Sequence, residues 1–234
     1  MLPLRDNVPT RTFPVVTVAI IAVNALVWFW ELRSPGVDYH VVKDGYYPCS
    51  LQGPCDPIRI GGHVFAHHLS WWEGTFSSMF MHGSWEHILG NMLFLWIFGN
   101  NVEDALGRVR FLLWYLAAGV AATALQTFVT LQFGTVRDAS IPNIGASGAI
   151  AGVLGAYFLL LPRARVLTVI FFREIAAIWF LGIWIALQIW QGGVGLTHPD
   201  QTGGVAVFAH IGGFAFGVLT VFLFAKRRPL SPSY

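Results

Sequence analysis

The sequence predicts an all-α membrane protein, a bundle of six transmembrane helices, and three observations carry that expectation. The chain of 234 residues is 55% hydrophobic and only 11% charged, whereas soluble domains carry about twice that charged fraction. Six apolar segments can be drawn, at roughly 13–31, 76–99, 110–132, 142–161, 174–191 and 205–225. Each approaches the ~20 residues a helix needs to cross a bilayer, the fourth and fifth lying near the short end. The third observation is where the basic residues fall. In a six-span arrangement Arg5, Arg11, Arg108, Arg110, Arg163, Arg165, Arg173, Lys226, Arg227 and Arg228 collect on one side. Arg33, Lys43, Arg59 and Arg137 collect on the other, which accounts for all 14. Cytoplasmic loops carry the excess of Lys and Arg, so both termini are expected in the cytoplasm.

The elements follow in order. Residues 1–12 form a cytoplasmic segment, 13–225 one helical domain and 226–234 a cytoplasmic tail. Arg5 and Arg11 precede the first apolar run, and no small-residue cleavage site follows it, so it reads as an uncleaved span. An outward loop, 32–75, holds four prolines and the pair Trp71-Trp72, and is too polar to cross. Within it, Cys49 and Cys55 are either two unrelated thiols or, if the loop faces an oxidising compartment, a local disulfide. Their spacing is not C-x-x-C, which disfavours a metal site. A net charge of +2 gives no reason to expect a nucleic-acid partner.

In this topology the second, fourth and sixth segments all run from outside to inside, and their starts share one depth. His87 and Asn91 lie near the start of the second, Ser147 of the fourth and His210 of the sixth. Polar side chains at membrane depth are costly and point to function. Pro142 and Gly145 disfavour regular helix just before Ser147, which puts the serine at a helix N-terminus. There free N–H groups and the dipole favour a developing oxyanion. By itself Ser147 could equally be a small residue at a helix contact.

Gly148 and Gly152 form one G-x-x-x-G pair, and Gly213 and Gly217 another, with Gly155 and Gly212 extending the small surfaces. Such pairs let helix backbones approach closely. If they join the fourth and sixth segments, Ser147 stands one residue before its pair and His210 three before its own. The two levels then differ by ~3 Å at helical rise, within reach of a hydrogen bond. A buried imidazole stays neutral, the form a general base needs. No Asp or Glu lies near His210 in sequence, so a dyad is expected rather than a triad.

Ser84 is a candidate N-cap for the second helix. His87 and Asn91 are four apart and share a face, and both can donate hydrogen bonds. His82 lies just before that helix, either supporting a site or facing water. His63, His67, His68, His82 and His87 raise a metal reading, but H-E-x-x-H is absent and no carboxylate completes a zinc set. No metal and no cofactor are expected.

These residues carry a resemblance to the rhomboid family of intramembrane serine proteases, of the bacterial six-span type. They are His82-Gly-Ser-Trp-Glu-His87-Ile-Leu-Gly-Asn91, Gly145-Ala-Ser147-Gly148 and Ala209-His210-Ile-Gly-Gly213-Phe-Ala-Phe-Gly217. The resemblance implies Ser147 as nucleophile and His210 as general base. It implies that His87, Asn91 and the Ser147 N–H stabilise the oxyanion, with His82 beside the site. Gly145 would shape the hole, and Gly148, Gly213 and Gly217 would serve the close helix contact. Two departures stand out. An aromatic residue that some members place one turn after the nucleophile is Ala151 here. A Trp-Arg pair of the first loop is replaced by Trp71-Trp72-Glu73.

The resemblance further implies an endopeptidase of a bacterial plasma membrane, acting on single-span proteins within the lipid bilayer. Such substrates must carry helix-weakening residues near the cut, because a membrane helix has its backbone groups already paired. Lateral entry past Trp179, Phe180 and Trp184, with 192–204 as a movable cap, is the expected route. The alternative is a rhomboid-like pseudoprotease that binds membrane proteins without cleaving them, although such proteins typically lack the dyad. A solute or metal transporter would need a polar path, whereas the inner halves of the segments are nearly all apolar.

Overall fold

A computed structural model describes residues 2–53, 55, 58–60, 63–65, 69–169, 172–197, 206–227 and 229–231, with the backbone alone at 58–60, 63 and 65. His67, His68, Arg228 and the stretch 198–204 of the expected cap lie outside the described residues. In chain order the elements are β1 (Pro3–Asp6), α1 (Val15–Glu31), α2 (Val37–Asp44), β2 (Ile58–Ile60), β3 (His63–Phe65), α3 (Trp71–Ser78) and α4 (Trp85–Phe94). They continue with α5 (Asn100–Leu106), α6 (Arg108–Phe133), α7 (Val136–Ala139), α8 (Ser147–Leu160), β4 (Arg165–Thr168), β5 (Glu174–Ala176), α9 (Ala177–Thr197) and α10 (Val207–Phe224).

Among the described residues three helices, α6, α9 and α10, are long and apolar enough to cross a membrane. The apolar helices α1 and α8 are shorter. The apolar segment drawn at 76–99 is not one helix. Residues 79–84 leave the helical path between α3 and α4, and a π-turn at Leu95–Gly99 joins α4 to α5. Ser84 resets the chain by capping α4, its hydroxyl accepting the His87 N–H at 3.2 Å. Likewise 142–161 becomes helical only at Ser147, and 174–191 opens with three residues of strand before α9.

The core is built on glycine. A Cβ at Gly213 would overlap the carbonyl oxygen of Gly148, and one at Gly217 the carbonyl oxygen of Gly152. A Cβ at Gly155 would strike the Phe214 carbonyl. Thus α8 and α10 touch backbone to backbone, as the two G-x-x-x-G pairs require. α6 closes the third side: a Cβ at Gly148 or Gly152 would stand 2.7 Å from the methyl of Ala122 or Ala118. Gly148 therefore serves two contacts, where the sequence argued for one.

At the end of the bundle remote from Ser147, polar groups fasten the flanking segments. No side chain of α1 caps its own N-terminus. Glu103 does so instead, accepting Val16 N–H at 3.1 Å, Thr17 N–H at 2.7 Å and the Thr17 hydroxyl at 2.8 Å. These are donors the first helical turn cannot satisfy internally. Asp104 pairs with Arg11 at 2.9 Å and with Arg227 at 3.0 Å. β1 joins β4 and β5 in a three-stranded antiparallel sheet, with Arg5 opposite Leu167 and Arg165 opposite Ala176. Residues on either side of the expected 13–225 domain are thus attached to it at one end, where the larger basic group collects. In the first loop Cys49 and Cys55 are joined by a disulfide, with Cα atoms 5.4 Å apart. β2 and β3 pair as a hairpin.

Candidate active site

Ser147 is the first residue of α8, and three local features place it there. Gly145 has φ +118°, a conformation L side chains rarely adopt. Its N–H donates to the Ser78 carbonyl at 2.8 Å, tying the loop before Ser147 to the end of α3. Two residues earlier Asn143 pairs with Tyr46 of the first loop, through N–H to O bonds of 2.7 and 3.2 Å. The serine is therefore presented by a clamped turn.

The Ser147 hydroxyl lies 2.8 Å from His210 Nε2, near the start of α10. This pairing follows from the glycine contact, since both side chains sit just outside the point where α8 and α10 meet. On its other side His210 Nδ1 lies 2.7 Å from Gln188 Oε1 of α9. The Trp184 ring, one turn before Gln188, packs on the imidazole with centroids 5.7 Å apart. Trp184 therefore supplies the aromatic cover that Ala151, fully buried in α8, does not.

His87 and Asn91 face the same space from α4. A Cβ at Gly145 would come within 2.6 Å of His87 Nε2 and 3.7 Å of Asn91 Nδ2. The absent side chain at Gly145 is what lets both groups reach the front of Ser147. Buried His82 accepts at its Nε2 a hydrogen bond of 3.0 Å from Asn91 Nδ2, and its ring meets that of His87 edge-on at 5.0 Å. An amide nitrogen has two N–H groups, so Asn91 can serve His82 with one and the cavity with the other. Glu31, fully buried at the end of α1, accepts the His82 N–H with both carboxylate oxygens at 3.2 Å.

Ser147, His210, His87 and Asn91 line a cavity of about 500 Å³ whose walls include Glu86, Phe94, Ile150, Leu154 and Trp184. Polar donors at one end and an apolar floor suit a peptide carbonyl with its side chain. Ser147, His210, His87, Asn91, His82, Gly145, Gly148, Gly213 and Gly217 all fall at this site or at the helix contact beneath it. Gln188, Glu31, Tyr46 and Asn143 were not among them. Gln188 carried a signal, since it is a polar residue inside the apolar segment 174–191. Of the expected gate aromatics, Trp179 is exposed, while Phe180 is buried and stacks between Phe94 and Phe98 with centroids 6.4 and 6.1 Å away. Among the described residues no group of three or more His, Cys, Asp or Glu gathers to hold a metal.

Apolar helices around a polar, serine-bearing cavity define an integral membrane protein. A family model described as the Rhomboid domain matches residues 68–227. The chain belongs to the rhomboid family. It is 35% identical over 162 residues to the presenilin-associated rhomboid-like protein A, mitochondrial, of Danio rerio, covering 65% of this chain and 39% of that protein. It is 31% identical over 144 residues to rhomboid protein 1, mitochondrial, of Saccharomyces cerevisiae, covering 61% and 39%. It is 29% identical over 152 residues to a putative rhomboid protease of Bacillus subtilis, covering 64% of each. The chain thus spans about two fifths of the length of the first two relatives. With relatives named mitochondrial and chloroplastic beside the bacterial one, the comparisons do not support the bacterial plasma membrane in particular.

Proposed function

We propose that this protein is an intramembrane serine endopeptidase that cleaves single-span membrane proteins through a Ser147–His210 dyad. The observation that carries the reading is the 2.8 Å contact between the Ser147 hydroxyl and His210 Nε2, made between residues 63 positions apart at the mouth of one cavity. Ser147 attacks the scissile carbonyl as His210 takes its proton. The oxyanion is held by the Ser147 N–H, His87 and Asn91, donors fixed before the charge develops. His210 then protonates the leaving amine, and water releases the acyl-enzyme.

The same reading takes 13–225 as one six-span domain with both termini cytoplasmic, the cavity opening on the opposite face. Attachment of the basic segments at one end of the bundle supports that orientation. The pseudoprotease alternative predicts no bond-making pair, and the intact Ser147–His210 contact argues against it. The test is cleavage of a model single-span substrate by purified protein, with Ser147→Ala and His210→Ala beside the wild type. Both variants lose cleavage, and a fluorophosphonate labels Ser147 alone. Activity at the wild-type level in either variant overturns the proposal.

A further inference from the structure

α9 brings a second polar contact to the dyad. Gln188 Oε1 stands 2.7 Å from His210 Nδ1, while Nε2 faces Ser147. An amide oxygen only accepts, so the proton of the neutral imidazole sits on Nδ1. The Nε2 lone pair is then the one presented to the serine. Of the two neutral tautomers, that is the only one able to act as base toward Ser147. Trp184, four residues earlier and on the same helix face, covers the ring.

We propose that Gln188 is a positioning residue for the proteolytic reaction, a neutral third member that holds His210 in the Nδ1–H form. It is carried by α9, so the dyad is complete only while α9 packs against α10. This inference rests on the proteolytic reading above. An amide suits the place because a carboxylate at membrane depth bears a heavy desolvation cost. As the Ser147 oxygen bonds to the carbonyl carbon, its proton moves to Nε2 and the Nδ1 proton stays directed at Gln188. When the C–N bond breaks, the Nε2 proton leaves with the amine, and the starting tautomer returns.

The test uses the full chain in proteoliposomes and two readouts, the rate of fluorophosphonate labelling at Ser147 and cleavage of a single-span substrate. The small probe reads the dyad without the entry step. Gln188→Leu keeps the bulk and removes the acceptor, and it lowers both labelling and kcat on the order of 10-fold to 100-fold, with KM near the wild-type value. Gln188→Glu keeps an acceptor oxygen and retains more labelling than Leu. Nitrogen chemical shifts of His210 report the Nδ1–H form in the wild type and a mixture in Gln188→Leu. Leu labelling at the wild-type rate, or a wild-type His210 protonated at Nε2, overturns the proposal. A wild-type protein whose Ser147 never labels overturns the proteolytic reading instead, and the nitrogen shifts still decide the role of Gln188.

Discussion

Gly213 meets Gly148 with no side chain between them, so that any Cβ on Gly213 would occupy the space of the Gly148 carbonyl oxygen. Backbone cannot yield as a flexible side chain does, and overpacking of this kind costs ~1–3 kcal/mol or more. Gly213→Ala therefore pushes α10 outward and carries His210 away from Ser147. Cleavage falls at least about tenfold, together with a lower melting temperature. A variant with wild-type turnover would show that the contact is dispensable for the dyad.

Gly145→Ala tests a different kind of absence. The new methyl would sit 2.6 Å from His87 Nε2 on a backbone at φ +118°. Strain and displacement of the His87 ring act together, the strain alone costing ~1–3 kcal/mol. The expected result is protein that still folds in detergent but turns over at least about tenfold more slowly, as loss of one oxyanion donor does. Full activity would remove His87 from the proposed oxyanion role.

Glu31 reaches the site through His82, whose N–H it holds with both oxygens, and His82 in turn bears on Asn91. Leaving the buried His82 N–H without its acceptor costs ~1–3 kcal/mol. Glu31→Ala lowers both the melting temperature and turnover, while Glu31→Gln, which keeps one acceptor oxygen, recovers part of each. Equal loss in the two variants would mean that the contact with His82 is not what matters.

Asp6 gives a pH dependence outside the membrane-crossing segments. Burial raises its carboxyl from 3.8 to about 6, against the lowering effect of the Tyr157 hydroxyl and the Val8 N–H. The folded protein therefore keeps this proton at pH values where the unfolded chain has released it. The stability tied to that proton is complete below the unfolded pKa and is lost as pH rises through about 6, a change of up to ~3 kcal/mol. Asp6→Asn removes this fall. Denaturation followed between about pH 4.5 and pH 7.5 checks it, and an unchanged slope in Asp6→Asn would assign the dependence elsewhere.

Much of the candidate site was legible because its parts sit in short local patterns. Gly145 to Gly148, His82 to Asn91 and His210 to Gly217 each encode their own turn, cap or close contact. Their common depth followed from counting helix directions. What was not legible depends on which helices become neighbours. Gln188 meets His210 only because α9 lies beside α10, and Glu31 meets His82 from 51 positions away in the chain. Glu103 likewise caps α1 from 86 positions further along the chain, a partnership no local pattern encodes. The break at 79–84 escaped hydropathy because Met79, Phe80 and Met81 keep the stretch apolar. Their backbone is turned by the Ser84 cap and by the hold of Ser78 on Gly145.

Trp184 over His210 has a consequence for how relatives are compared. Ala151 and Trp184 line the same cavity from two helices, and the aromatic cover of the imidazole comes from the second. Column by column, an alignment would score Ala151 as a lost feature. In three dimensions the ring over the imidazole is present, supplied by Trp184. Covariation across the family should therefore link them, with bulk at 151 accompanied by a small residue at 184 and the reverse. A chain with aromatics at both would crowd the cavity, and one with neither would leave the imidazole bare.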